Sequence, residues 1–213
     1  IADASEHRLE LRLRSCAPSR GPSLPPVDRT HVDAYLELLA GTHTATAPLA
    51  GMHVVVDAAN GAASGLARRL LEGLGARVTA IASSPDGLNI NRDCGATSPA
   101  ALQAAVLASG AEAGLALDGD ADRALLVDEH GRLLDGDDIL LAWARHLDGQ
   151  DRLPHRRVVA TVMSNFGLER ALASVGIGTV RCDVGDRAVW LAMREHDAAL
   201  GGEQSGHVIC AHH

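Results

Sequence analysis

From Thr30 onward, short apolar runs alternate with segments in which apolar side chains return at helical spacing, the patterns of buried strands and amphipathic helices. Thr30 can N-cap a helix through Leu39 that carries Val32, Tyr35, Leu36 and Leu39 on one face. Val54–Asp57 reads as a buried strand, and Asn60-Gly61-Ala62-Ala63-Ser64-Gly65 as the turn into a helix that ends near Gly73 or Gly75. Arg77–Ala82 is the next strand. Ser98 as N-cap and Pro99 at the first helical position predict a helix to about Ser109-Gly110. Ala113–Leu117 then reads as a strand that delivers Asp118 at its carboxyl end, and Ala124–Val127 and Arg132–Leu134 flank a hairpin-like turn.

A second cycle follows. Asp135-Gly136-Asp137-Asp138 reads as the cap of a helix over Ile139–His146, rather than as a metal site. Arg157–Met163 is a strand, Gly167–Val175 a helix, Thr179–Cys182 a strand and Asp186–His196 a helix, before Gly201–His207 leads into Val208–Cys210. Strands alternating with helices predict mainly parallel sheets covered on both faces. The expected fold is therefore two successive three-layer α/β domains with mixed, mainly parallel sheets, over residues 31–130 and 131–213. Residues 1–30 show no sustained period: Arg8, Arg12, Arg14 and Arg20 alternate with small residues and are joined by Pro18, Pro22, Pro25 and Pro26, which predicts an irregular segment.

Composition narrows the picture. With 46% hydrophobic but only 2% aromatic residues, the cores of these 213 residues must be small and aliphatic. A formal charge of −8 argues against a nucleic-acid partner, whose recognition rests on basic patches. All 19 basic residues are Arg, so no chemistry that needs lysine is available. Cys16, Cys94, Cys182 and Cys210 form no paired spacing, which fits a reduced, cytoplasmic protein, and no apolar run approaches the roughly 20 residues that span a bilayer.

Chemistry concentrates in two places. Asp118, Asp120 and Asp122 alternate along a loop beyond a strand, so slight curvature lets their carboxylates converge on a cation beside Arg123; hard oxygen ligands favour Mg²⁺. A solvated acidic turn is the plain alternative. An EF-hand would place Asp118, Asp120, Asp122 and Glu129 at loop positions 1, 3, 5 and 12, but Arg123 stands where that loop needs glycine. An aspartyl-phosphate phosphatase is the runner-up enzyme class: it resembles the first two aspartates, but usually carries Thr or Val where Asp122 stands and uses a lysine, which the chain lacks. The second place, Gly201-Gly202-Glu203-Gln204-Ser205-Gly206-His207, sets a carboxylate, a hydroxyl and an imidazole on a glycine-rich turn. Asn60–Gly65 could cradle a phosphate, although a plain turn is the simpler reading.

Asp118-Gly119-Asp120-Ala121-Asp122-Arg123, followed by Gly202–His207, resembles the α-D-phosphohexomutase superfamily, whose metal loop reads Asp-Gly-Asp-x-Asp-Arg and whose sugar loop reads Gly-Glu-x-Ser-Gly-His. The wording of 57–64, 85–91, 162–165, Val184-Gly185-Asp186-Arg187 and Gln204 is similar to its bacterial phosphoglucosamine mutase branch; mutases of mannose or glucose phosphates are the nearest alternative. The resemblance implies interconversion of glucosamine 6-phosphate and glucosamine 1-phosphate, through a phosphoserine and a bisphosphate intermediate, on the route to UDP-N-acetylglucosamine and the cell wall. It implies Mg²⁺ on Asp118, Asp120 and Asp122, a phosphate-steadying and catalytic Arg123, sugar contacts from Glu203 and Ser205, a general acid or base in His207, and neighbouring substrate contacts from Asp186 and Arg187.

Family members run to about twice this length in four domains, of which the second and most of the third are recognisable here. The serine loop of the first domain, a Thr-Ala-Ser-His-Asn-like string, does not occur in the chain, and the phosphate loop of the fourth would lie beyond His213. Residues 1–30 match no family motif and have the texture of an out-of-frame reading of GC-rich DNA. The expectation is a chain that is inactive by itself, with a non-catalytic Mg²⁺- and phosphosugar-binding remnant as the competing role.

Overall fold

The computed structural model describes residues 3–16, 30–43 and 45–211. Two compact units divide the chain, residues 1–33 and 34–213.

In the first unit, α1 covers Asp3–Ser15, where the sequence pattern predicts irregular chain. Leu, Arg and Glu are strong helix formers, and local bonds from Arg8 to the Ser5 hydroxyl (3.1 Å) and from the Ser15 hydroxyl to the Arg12 carbonyl (2.9 Å) support the turns. The helix has no apolar stripe: Leu9, Leu11 and Leu13 are 50%, 52% and 73% exposed. Periodicity misses such a helix because no face of it is buried. The prolines at 18, 22, 25 and 26 lie outside the described residues.

The second unit runs from the body of α2 (Thr30–Ala40) to the C-terminus and contains both predicted α/β layers sets. Its first sheet comprises β1 (His53–Asp57), β2 (Arg77–Ile81), β3 (Ala113–Leu117), β4 (Ala124–Asp128) and β5 (Leu133–Leu134), in the order β2-β1-β3-β4-β5. β1 pairs parallel with β2 and β3, while β4 and β5 return antiparallel. β1 is buried along its whole length because both faces of the sheet are covered. On one face α4 (Ala100–Ser109) sets Leu102 and Val106 against Val55, Ala116 and Val127; on the other, Ala63 and Ala67, the latter opening α3 (Ala67–Gly73), pack on Val56 and Ala58.

The second sheet repeats the plan with β6 (Arg157–Thr161), β7 (Gly178–Cys182), β8 (Leu200–Gly202) and β9 (Val208–Cys210), in the order β7-β6-β8-β9 with only β9 antiparallel. α5 (Gly136–Asp148) and α6 (Phe166–Ser174) bury Leu140, Leu147, Leu168 and Leu172 against Val158, Ala160 and Leu200. α7 (Asp186–Glu195) covers the opposite face with Val189 and Met193 on Val159. The expected aliphatic cores are thus present on both faces of both sheets.

The hairpin expected from Ala124–Val127 and Arg132–Leu134 forms as β4 and β5, so the first sheet runs to Leu134 before α5 opens. Three local expectations shift. Pro99, not Ser98, takes the N-cap position of α4, and no side chain caps it. The turn over 60–65 leads into a helix that starts only at Ala67; its Ala62 N–H donates to the Gly119 carbonyl at 2.8 Å, so this turn props the aspartate loop. The predicted face of α2 is half realised: Leu36 and Leu39, with the exposed Tyr35, border an apolar cavity of about 350 Å³ shared with Leu66, Leu70 and Leu115.

Candidate functional site

The two motifs occupy the same place in the two sheets. The aspartate loop joins β3 to β4, and the glycine-rich loop joins β8 to β9; in each case the third parallel strand turns back into an antiparallel one. Both loops thus lie beyond carboxyl ends of parallel strands, where α/β sheets collect ligand groups.

Asp118 is buried at the end of β3, and its Oδ1 accepts the Arg123 N–H at 3.2 Å, which curls the loop back on itself. Ala121, at φ 63°, completes the turn, with its N–H on the Asp118 carbonyl at 3.1 Å. One oxygen from each of Asp118, Asp120 and Asp122 falls within 4.8 Å of the others, the convergence expected from their spacing. Arg123 Nε stands 3.9 Å from both Asp118 Oδ2 and Asp122 Oδ1. Burial pushes the Asp122 carboxyl above its ordinary value and the charges of Asp118 and Asp120 push it further, against the opposing pull of His207 and Arg123. Like charges held together with partial burial are what a bound cation would relieve. The flanking elements are strands, not helices, and Glu129 turns to His130 at 3.4 Å, which removes the EF-hand alternative.

The glycine-rich loop is held from three sides. Glu203 Oε1 accepts the Gly185 N–H at 2.8 Å, and Ser205 Oγ donates to Glu203 Oε2 at 3.4 Å. The Gly206 carbonyl accepts the Ala124 N–H at 3.0 Å, joining this loop to the strand that follows the aspartate loop. Gly206 has φ 95°, and a Cβ there would stand 2.5 Å from the Ala124 carbonyl oxygen, so only glycine allows this approach. Beyond the loop, the Gly136 N–H donates to the Gln204 carbonyl at 2.9 Å. His207 reaches across, with Nδ1 3.5 Å from Asp122 Oδ2.

Between the loops lies a cleft of about 440 Å³ lined by Arg123, Asp135, Thr161, Met163, Val184, Glu203, Gln204 and Ser205. The fold therefore gathers Asp118, Asp120, Asp122, Arg123, Glu203, Ser205 and His207 into one neighbourhood. Asp186 and Arg187 open α7 beside the Gly185–Glu203 link, and neither lines the cleft. Asp135 to Asp138 make the expected cap, with Asp135 accepting from Asp137 and Asp138 and Asp138 accepting from the Asp135 N–H. Asp135, Thr161, Met163 and Val184 are wall residues that the site prediction omits; the ends of β6 and β7 were the available signal for the last three.

Comparison with known proteins agrees with both halves of this geometry. The model of phosphoglucomutase/phosphomannomutase α/β/α domain II matches residues 33–131, and that of domain III matches residues 135–213. A phosphoglucosamine mutase of Symbiobacterium thermophilum is 52% identical over 178 residues, covering 84% of this chain and 39% of the relative. Another, of Methylobacterium sp. strain 4-46, is 51% identical over 214 residues, covering 98% of this chain and 48% of the relative. That second alignment takes in most of residues 1–30, and the first covers less of the chain. A crystal structure of a phosphoglucomutase/phosphomannomutase family protein from Burkholderia thailandensis superimposes with a TM-score of 0.78 at 29% identity, over 98% of this chain and 45% of that one. The chain spans less than half the length of these relatives. With one domain model on the aspartate-loop sheet and the next on the glycine-loop sheet, the chain belongs to the phosphoglucomutase/phosphomannomutase family and comprises its domains II and III.

Proposed function

We propose that this chain provides the metal-binding and sugar-binding loops of a phosphoglucosamine mutase, acting on glucosamine 6-phosphate and glucosamine 1-phosphate. The observation that carries the reading is the cleft itself, where Arg123 stands between three converging carboxylates on one side and Glu203 and Ser205 on the other. The phosphoglucosamine mutases at about half identity support the substrate assignment over that of other hexose phosphates.

Asp118, Asp120 and Asp122 would hold Mg²⁺, which fits their all-oxygen donor set and the raised Asp122 carboxyl. The ion would neutralise charge on a transferring phosphoryl group. Arg123 binds phosphate oxygens at the mouth of the cleft. Glu203 accepts from sugar hydroxyls, with Gly185 N–H and Ser205 Oγ fixing its carboxylate. His207, with Nδ1 3.5 Å from Asp122 Oδ2, exchanges a proton with a sugar oxygen. Asp186 and Arg187 flank the entrance as lesser contacts.

No Thr-Ala-Ser-His-Asn string occurs in the chain, so by itself it binds phosphosugar without turnover. Calorimetric titration with glucosamine 6-phosphate, with and without Mg²⁺, tests the reading. Metal-dependent binding without interconversion is expected; absence of binding, or turnover by this chain alone, contradicts it.

A further inference from the structure

Asp135 uses its two oxygens for different tasks. Oδ1 accepts the N–H groups of Asp137 and Asp138 at 3.0 and 3.3 Å and so caps α5. Oδ2 accepts from Gln204 Nε2 at 3.0 Å, across 69 positions of sequence. An ionised carboxylate has no proton to donate, so only the amide nitrogen of Gln204 can face it. The amide is thereby held in one orientation, and among the described residues nothing donates to its Oε1.

Asp135 and Gln204 line the cleft together with Thr161. Thr161 is 1% exposed, and its Oγ1 is buried with no hydrogen-bond partner. This part of the wall therefore offers the Gln204 Oε1 acceptor and the unpartnered Thr161 hydroxyl, which can accept or donate, with a carboxylate behind them, while one of the two Gln204 Nε2 hydrogens is committed to Asp135. A cationic amine supplies donors only and gains from the charge; a sugar hydroxyl gains less from such a wall.

We propose that Asp135 is a positioning residue for amino-sugar recognition: it fixes Gln204 so that Oε1 accepts from the ammonium group of a hexosamine phosphate, favouring that ligand over its hydroxyl counterpart. The inference rests on the phosphoglucosamine mutase reading.

Asp135→Asn provides the test. Asparagine caps a helix as well as aspartate, and with Oδ1 on the α5 N–H groups its Nδ2 meets Gln204. The Gln204 amide must then turn and present N–H donors to the cleft. The experiment is calorimetric titration of the chain in Mg²⁺ at neutral pH with glucosamine 6-phosphate and, separately, glucose 6-phosphate. Wild type is expected to bind the amino sugar roughly tenfold or more tightly, the scale of one charge-assisted hydrogen bond. Asp135→Asn should abolish or invert that ratio with an unchanged melting temperature, which loss of structure alone would not do. Should Asp135→Asn fail to melt cooperatively, Gln204→Met, which leaves the cap intact, should remove the preference without inverting it. A preference that survives the substitution overturns the positioning role and leaves the mutase reading standing. Equal binding of both sugars by wild type also overturns the inference alone, whereas no binding of either sugar phosphate overturns both readings.

Discussion

His207 Nδ1 lies 3.5 Å from Asp122 Oδ2, so the last residue of the glycine-rich loop touches the last carboxylate of the aspartate cluster. The imidazole is largely covered, at 18% side-chain exposure, while Asp122 is 47% exposed. A proton-exchanging group proposed for the sugar and a ligand proposed for the metal are thus electrostatically linked, because a charged His207 offsets part of the repulsion that Asp118 and Asp120 exert on Asp122.

Neutralising Asp122 should act oppositely with and without metal. In a chelator, Asp122→Asn relieves like-charge repulsion and should melt above wild type. In Mg²⁺ at about ten times the dissociation constant, wild type should gain about 1.4 kcal/mol, roughly 3–6 °C for a unit of this size, and the variant should gain little. Differential scanning calorimetry under both conditions checks this; a variant that melts lower than wild type in chelator contradicts the repulsion account.

Glu203 should be separable into a structural and a ligand-binding role. Glu203→Gln keeps an oxygen for the Gly185 N–H, 2.8 Å away in the parent, and should hold the melting temperature while weakening glucosamine 6-phosphate binding by about tenfold. Glu203→Ala should lose stability as well as binding. Parallel melting curves and titrations of the two variants distinguish these roles.

Gly206→Ala should break the junction between the sheets. The new Cβ would meet the Ala124 carbonyl oxygen at 2.5 Å, at a φ of 95° that side chains disfavour. Backbone strain alone should cost about 1–3 kcal/mol, read as a lower denaturation midpoint, and sugar-phosphate binding should fall with the displaced loop. A variant with the parent's midpoint would show that the approach of the two strands is looser than described.

Acid stability should depend on the hairpin between β4 and β5. Burial works to raise the Asp128 carboxyl, but the Arg132 N–H, the Arg132 guanidinium and the His130 N–H outweigh it and hold the group below its usual range. A depressed carboxyl stabilises the fold above its unfolded pKa, and that contribution fades as pH falls through the lower folded value. Asp128→Asn should therefore flatten the acid limb of the stability profile just below the ordinary carboxylate pKa and leave its shape at neutral pH unchanged. Urea denaturation across pH 2–7, read as midpoint against pH, measures it; an acid limb identical to wild type excludes the assignment.

Local patterns made much of this protein legible from its sequence. Apolar runs such as Val54-Val55-Val56 require a strand covered on both faces, the spacing of Leu168 and Leu172 requires one buried helix face, and alternate aspartates at the end of β3 converge because a short loop leaves them little else to do. The α1 helix escaped because propensity without a buried face leaves no period, whereas the pairing of β4 with β5 was legible in the turn between Ala124–Val127 and Arg132–Leu134. Tertiary structure alone decided that the Ala124 N–H meets Gly206, that His207 meets Asp122, and that the cap of α5 also holds Gln204. Those pairings join residues far apart in sequence, and their geometry is set by how two sheets pack rather than by any propensity near either partner.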